Sequence, residues 1–584
     1  MSNYKGRKGC SWYAFCLSVA GFAAVAVVTA IFFSRARLQH NKQNNHSNPT
    51  TDSPSNNPSN AAPLVPSGQP SILTPPAPAG ARPFPSSSSK QPPVAAPLSS
   101  PAVPVSKYAE ALKVTMNFFD IQKSGRLPTG FPISWRGNSA LDDGSDAGLD
   151  LTGGLYDAGD HVKFGLPMAF TATILAWGIL EYNIQYKATQ QLDSAKDALK
   201  WITDYLIKAH PSSDEFFFQV GDPVVDHACW ERAENIDISR PSYSLDPSRP
   251  GTEVAAETAA AMAAASLVFH NTDDPSYSQT LLLHAEELFA LANNHRASYS
   301  LSFPSVQQFY NSTGYGDELL WAATWLYYAT NNETYLYYAT SQNGQIFAEW
   351  GQAPAWFSWD NKLPGVHVLL SRNQVLNPAQ TTSLATAGLQ KYKSTADDLM
   401  CAFLPDSPTA TSQRTAGGML WVTQWNSIQH AVNSAFIILL YSDYLSTAAG
   451  GRLSCSGKNY DPQQLREFAA SQADYILGNN PMKMSYLVGY GSNFPKQVHH
   501  RGASIPMNSQ IYACKQGFMW LYSPSPDPNV ATGGLVGGPF QNDSFIDYRD
   551  NPMQNEPTTY NSAALASLLA GLSSQPYSVV PAFT

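Results

Sequence analysis

Charge is what this 584-residue chain has least of: Asp, Glu, Lys and Arg together make up 14%, and nowhere do Lys and Arg gather into a stripe. With a net charge of −9 and no such stripe, the chain cannot neutralise a phosphate backbone, and nucleic acid is excluded as a partner. Cysteine is scarce too. Cys10 and Cys16 fall in an apolar segment, while Cys229, Cys401, Cys455 and Cys514 lie too far apart for a zinc-ligand pattern. In an oxidising compartment these four allow one or two disulfides, and all fully paired connectivities stay open. No internal repeat of fixed short period occurs, which argues against a stacked solenoid, and runs of alternating strand type are missing.

What the chain has is apolar and aromatic surface. Hydrophobic residues make up 43% and Trp, Tyr and Phe 12%, ample for a large core. A surface poor in charge and rich in rings suits stacking against neutral ligands such as sugars.

Composition divides the chain into four parts. A short basic tail, residues 1–9, precedes the uncharged segment 10–34, CSWYAFCLSVAGFAAVAVVTAIFFS. At helical rise this segment spans about 37 Å and can cross a bilayer with some tilt. A cleaved secretory signal is the rival reading, with small residues at Val28-Thr29-Ala30, but the apolar run continues through Ile31, Phe32 and Phe33. Length favours a retained single transmembrane anchor. Basic residues flank it on both sides, so charge does not set its orientation. Sequons at Asn45, Asn311, Asn332 and Asn542 make sense if everything after the anchor is lumenal or extracellular. The expected location is therefore a single-pass membrane protein of the secretory pathway or plasma membrane; secretion after cleavage is the alternative. Residues 35–106 are rich in Pro, Ser and Asn, with 16 of the 43 prolines between Pro49 and Pro104. Such a stretch buries too little apolar surface to offset its ordering entropy and reads as a disordered stalk.

Residues 107–584 read as one all-α domain. Apolar side chains recur at helical spacing over Pro167–Tyr182, Gln191–Ala209, Thr252–His270, Ser278–Asn294, Asp317–Thr330, Ala379–Phe403, Ile428–Ala448, Pro462–Leu477 and Pro557–Leu572. Pro167, Asp461-Pro462 and Pro557 supply start signals. The Ala-rich segment Val254–Ala265 is apolar on all sides and belongs inside. A closed ring of helix pairs, with function on the loops at one end, accommodates this pattern.

Two short stretches carry the chemistry. In Tyr156-Asp157-Ala158-Gly159-Asp160 two carboxylates sit on a short flexible arc that can aim both at one water. Asn555-Glu556-Pro557 brings a third from the far end of the chain, able to face them across a cleft as an inverting glycosidase requires. The bland alternatives are turn chemistry for the Asp pair and a helix-start carboxylate for Glu556.

With their surroundings these residues resemble glycoside hydrolase family 9, the endo-β-1,4-glucanases. The likeness runs in order through Ser134-Trp135-Arg136-Gly137 and Tyr156–Phe164, Asp226-His227 with Cys229–Arg232, Tyr315–Trp321, Phe357–Asn361, Ser485–Arg501 and Phe545–Asn561. An anchor without an appended carbohydrate-binding module is similar to the membrane-bound plant-type members. The resemblance implies an (α/α)6 barrel and hydrolysis of β-1,4-glucosidic bonds in cellulose-like glucans by single displacement. Asp160 would be the general base, Asp157 its partner and Glu556 the general acid. His499 and Arg501 would donate to sugar hydroxyls, His227 and Trp230 would contact substrate, and Trp356, Trp359, Trp425 and Tyr560 would stack on pyranose rings. No cofactor is required for the reaction. Some members hold a structural calcium, and the matching positions are Thr313, Gly314, Asp317, Glu318 and Asp360, oxygen ligands that suit this hard cation; helix capping by Asp317 and Glu318 needs no metal. Pro552 and Ser562 depart from the acid-bearing signature, where an aromatic and an Asn are usual. They motivate a non-catalytic or weakly active glycan-binding scaffold on the same fold as the alternative, whereas no motif supports a lyase or phosphorylase.

Overall fold

The computed structural model describes residues 106–574 apart from 271–273, 353–355, 377–382, 449 and 509. The expected anchor and nearly all of the stalk lie outside the described residues.

Twelve helices build the domain: α1 (Lys107–Gln122), α2 (Gly165–Ala188), α3 (Leu192–Ala209), α4 (Thr252–Phe269), α5 (Pro275–Asn294), α6 (Gly316–Thr330), α7 (Glu333–Thr340), α8 (Leu363–Leu376), α9 (Ser383–Phe403), α10 (Ser427–Thr447), α11 (Pro462–Ile476) and α12 (Thr559–Leu572). The even-numbered helices pack in sequence order, α2 on α4, α6, α8, α10 and α12, and α12 returns to α2 to close the ring. Each odd-numbered helix packs outside an inner neighbour, with α1 covering α12. Two concentric rings of six are consistent with an (α/α)6 barrel.

Sequence decides which helix goes where. In α4 seventeen of the eighteen residues are buried, Leu267 being the exception, and α12 is buried throughout; small side chains on every face let neighbours approach from all sides. Among the described residues α4 is also the one helix long and apolar enough to cross a membrane, yet 94% of that stretch is buried in the protein. Outer helices such as α3 and α11 bury one stripe only. Start signals act locally. Asp461 accepts from the Gln464 amide while Gln464 returns a bond to the Asp461 amide, with Pro462 in the first turn. Pro557 lies outside α12, whose cap is Thr558 accepting from Asn561 N: a proline two residues before the helix directs the chain into it rather than starting it.

The barrel axis is filled in layers. Trp177, Trp321, Phe357 and Phe436 meet edge to face with ring centroids 5.3–6.4 Å apart. On one side of them the buried Lys362 ammonium lies 3.0 Å from Glu318 and 3.6 Å from Glu257. On the other, Glu181 accepts from Tyr444 at 2.6 Å. Two small sheets are added to the rings. β1 (Lys163–Phe164), β2 (Phe216–Val220) and β3 (Ser242–Leu245) pair antiparallel in that order, and β4 (Leu453–Cys455) pairs with β5 (Lys458–Tyr460). Disulfides join Cys229 to Cys514 and Cys401 to Cys455, one of the three connectivities open from sequence.

Candidate active site

The segments that lead into the N-termini of the inner helices converge on one cleft of about 570 Å³. Asp157, Asp160 and Phe164 come from the approach to α2, and Tyr310 from that to α6. Trp356 and Trp359 precede α8, Trp425 and Asn426 precede α10, and Glu556 and Thr558 precede α12, whose second residue is Tyr560. His227, Trp230, His499 and Arg501 complete the wall. All eleven residues expected to act on a glucan therefore line one cavity.

A backbone knot holds the carboxylates. Thr559 N donates to Asp157 O at 3.2 Å, Arg501 N to Gly159 O at 3.1 Å and His499 N to Asn555 O at 3.0 Å. Gly159 N donates to Glu556 Oε1 at 3.1 Å, joining residues 397 apart in the chain. Only glycine fits there, because a Cβ would meet His499 O at 2.0 Å. Gln122, the last residue of α1, braces the arc from behind by donating to Tyr156 O at 3.2 Å and Ala158 O at 2.5 Å.

Three carboxylates in one place do not titrate alike. Burial, followed by the nearby Asp160 charge, pushes Glu556 up to about 7. Burial would raise Asp160 as well, but the hydrogen bond and charge of His227, the Arg501 charge and the Val162 amide outweigh it and leave Asp160 below the ordinary carboxylate range. His227 Nε2 lies 3.0 Å from Asp160 Oδ2, and Val162 N donates to Oδ1 at 3.1 Å. Asp157 goes the other way: burial and the Asp160 charge raise it well above the ordinary value. Its Oδ2 accepts from the Tyr310 hydroxyl, and its Oδ1 is buried without a partner.

Several expected contacts take another form. His227 bonds Asp160 from the cleft wall, where its ring stays exposed. Arg501 spends both terminal nitrogens on Asp226 at 2.9 and 2.6 Å, leaving its buried Nε unpartnered. His499 sits 2.5 Å through Nδ1 from Arg549 O, and burial lowers it to about 4; a neutral ring that donates through Nδ1 can only accept through Nε2. Trp230 is 3% exposed, bonded through Nε1 to Ser504 at 2.9 Å, and Tyr560 is 4% exposed and accepts from Asn426 Nδ2 at 3.1 Å. Both rings are wall rather than open platform. Trp425, at 53% exposure, and the partly exposed Trp356 and Trp359 remain accessible. Tyr310, Asp226 and Asn426 are the additions that sequence reasoning did not single out as site residues.

Pro552 and Ser562 leave Glu556 in place. Pro552 opens the short helix Pro552–Asn555, where its missing amide costs nothing, and Glu556 N donates to Pro552 O at 3.2 Å. Ser562, buried in α12, bonds Gly533 O at 3.3 Å.

Beside the cleft, and sharing Trp356 and Asp360 with it, Thr313, Gly314, Asp317 and Asp360 line a second, smaller cavity. Thr313 donates to both Asp360 oxygens, through N at 2.8 Å and Oγ1 at 3.0 Å. Lys362 N donates to Asp317 Oδ2 at 2.7 Å. Glu318 does not line this cavity; its Oε1 holds Lys362, and its Oε2 is buried without a partner.

Fold and cleft together define a carbohydrate-cutting enzyme of the helical-barrel type, and the chain belongs to glycosyl hydrolase family 9, whose model matches residues 108–569. Among its relatives, Endoglucanase 2 of Arabidopsis thaliana is 59% identical over 468 residues, 80% of this chain and 89% of that protein. An endoglucanase structure from the termite Nasutitermes takasagoensis shares 41% identity with a TM-score of 0.70, over 80% of this chain and 98% of that one. A cellulase of C. cellulolyticum, solved in complex with cellobiose, shares 34% identity with a TM-score of 0.67 over the same shares.

Proposed function

We propose that the protein is an endo-β-1,4-glucanase that hydrolyses cellulose-like glucans with inversion. The observation that carries the mechanism is the Gly159 amide on Glu556 Oε1, because it sets a carboxyl raised to about 7 beside an Asp kept ionised. Asp160 takes the proton from the attacking water as that water's oxygen bonds the anomeric carbon. Glu556 gives its proton to the departing glycosidic oxygen. Asp157, whose Oδ2 accepts from the Tyr310 hydroxyl, helps Asp160 position that water. His227 and the Arg501 charge keep Asp160 ionised, and His499 Nε2 accepts from a sugar hydroxyl. Trp356, Trp359 and Trp425 support the pyranose rings. NMR of the products from a soluble β-1,4-glucan tests the scheme: the α-anomer appears first, and new reducing ends vanish in Asp160→Asn and Glu556→Gln. An initial β-anomer overturns inversion.

Four of the five oxygen donors around the second cavity fit a structural calcium: Thr313, Gly314, Asp317 and Asp360 would hold it, with Glu318 behind them on Lys362. Such a cation would steady the approaches to α6 and α8. Chelation should then lower the thermal midpoint, and an unchanged midpoint counts against it. Residues 10–34 anchor the protein, residues 35–106 form a stalk, and the catalytic domain faces the lumen or exterior; the absence of charge from 10 to 34 and the four sequons support this. Resistance to alkaline extraction from membranes tests the anchor, and glycosidase-sensitive mobility tests the topology.

A further inference from the structure

The wall of the cleft continues onto the outer surface where Phe518, Leu521 and Pro552 line it. Beyond them Tyr522 stands 67% exposed and Tyr548 60%. The Phe518 and Tyr522 rings stack, with centroids 6.3 Å apart and planes inclined by 23°. Trp425 belongs to the same neighbourhood, since the next residue, Asn426, donates through N to Met553 O at 3.0 Å.

Rings this exposed would ordinarily lose entropy on binding, but the backbone beneath them is fixed. The buried Arg549 donates through Nε to Asp527 Oδ1 at 2.7 Å, through one terminal nitrogen to Trp520 O at 2.5 Å and Ser523 O at 3.0 Å, and through the other to Ser525 O at 2.9 Å. These carbonyls flank Tyr522, and Tyr548 is the residue before Arg549. Leu521 belongs to a small core of its own with Trp230, Ile505 and Tyr512, and the Cys229–Cys514 disulfide pins the same loop to the cleft wall. A buried guanidinium spread over three carbonyls holds exposed aromatics in a set position, the preorganisation that makes a binding surface effective.

We propose that Phe518, Tyr522 and Tyr548 form a glucan-binding platform outside the cleft, engaging the part of a β-1,4-glucan chain that runs past the cutting site. The occupant follows from continuity: the platform begins with residues that already line the sugar cleft, and its neutral rings match the apolar C–H faces of pyranose units. It therefore selects long or insoluble glucan over short oligosaccharides. This rests on the endoglucanase reading above.

The test uses the full chain carrying Tyr522→Ala and Tyr548→Ala. Hydrolysis of cellotetraose should stay within about twofold of the unmutated protein. Binding to regenerated cellulose, measured with Glu556→Gln in both proteins to prevent turnover, should weaken about fivefold to tenfold, and Tyr522→Trp should bind as the unmutated ring does. Equal losses on both ligands, or none on either, overturn the platform. So does a variant whose only change lies in self-association or in binding to lipid vesicles, which would assign the rings to a second copy or a membrane. If the unmutated protein binds cellulose through these rings but cuts no glucan, the platform stands and the endoglucanase reading fails; if it cuts cellotetraose but the variant still binds cellulose fully, the platform alone fails.

Discussion

In the mechanism proposed above, Asp160 and Glu556 would do opposite work because their oxygens meet opposite company. Asp160 receives two hydrogen bonds, one from the His227 ring and one from the Val162 amide, whereas Glu556 receives one and lies in the field of another carboxylate. The pH dependence follows with its sign. Activity should fall as pH rises through about 7, where Glu556 loses the proton it must give. It should fall again on acidification below the ordinary carboxylate range, where Asp160 finally protonates. A kcat/KM profile on soluble glucan checks both limbs, and His227→Gln should move the acid limb upward by removing a cation. Gly159→Ala should lower activity by at least about a hundredfold, since a displacement of about 1 Å at such a site costs that much and the new methyl must displace His499 O. A folded, fully active Gly159→Ala protein would show that the knot does not position Glu556. At this scale the carboxylates were legible because Asp and Glu reveal their chemistry by type. Tyr310 was not, because a Tyr among many aromatics gives no sign that its hydroxyl ends on Asp157. Arg501 shows the converse: its type suggested a sugar contact, and only the fold reveals Asp226 as its partner.

The inner helices are apolar on every face, so their periodicity marks them poorly while their composition marks them well. That is why α4 and α10 could be placed to within a residue or so, and why α8 was passed over. Its opening Leu363-Pro364-Gly365 reads as a break. In the structure Pro364 occupies the first turn, where it lacks nothing, and Gly365 is required because a Cβ would lie 2.8 Å from the Phe357 ring. The eight residues of α7 are too few to show a period, while α1 was missed although its stripe stands in Ala111, Leu112, Thr115, Met116 and Phe119. Lys362, just before α8, ties that helix to α4 and α6 through Glu257 and Glu318. Lys362→Met should cost about 3–5 kcal/mol, because two buried carboxylates lose their only cation there. Urea denaturation reads this directly, and a loss below about 1 kcal/mol would contradict it.

At the scale of the whole molecule the rings close only when α12 packs between α2 and α10. A chain ended before Thr559 should therefore lose cooperative unfolding as well as activity, since the flanks of α2 and α10 that α12 covers would be left to water; a sharp unfolding transition in such a chain would contradict this. The sequence pattern showed nine of the twelve helices and pointed to a closed ring of helix pairs, while the packing of α12 on α2 that makes the closure is visible only in the structure, because it depends on elements distant in the chain.

That closure also sets a clock. The arc with Asp157 and Asp160 leaves the ribosome 397 residues before the glutamate that must face it, a delay of about 20–80 s at ordinary rates of synthesis. On the roles proposed for these carboxylates, the nascent protein would hold a base without an acid throughout that interval. It would become able to cut only once Glu556 and α12 arrive, and an unfinished chain could not attack glucan.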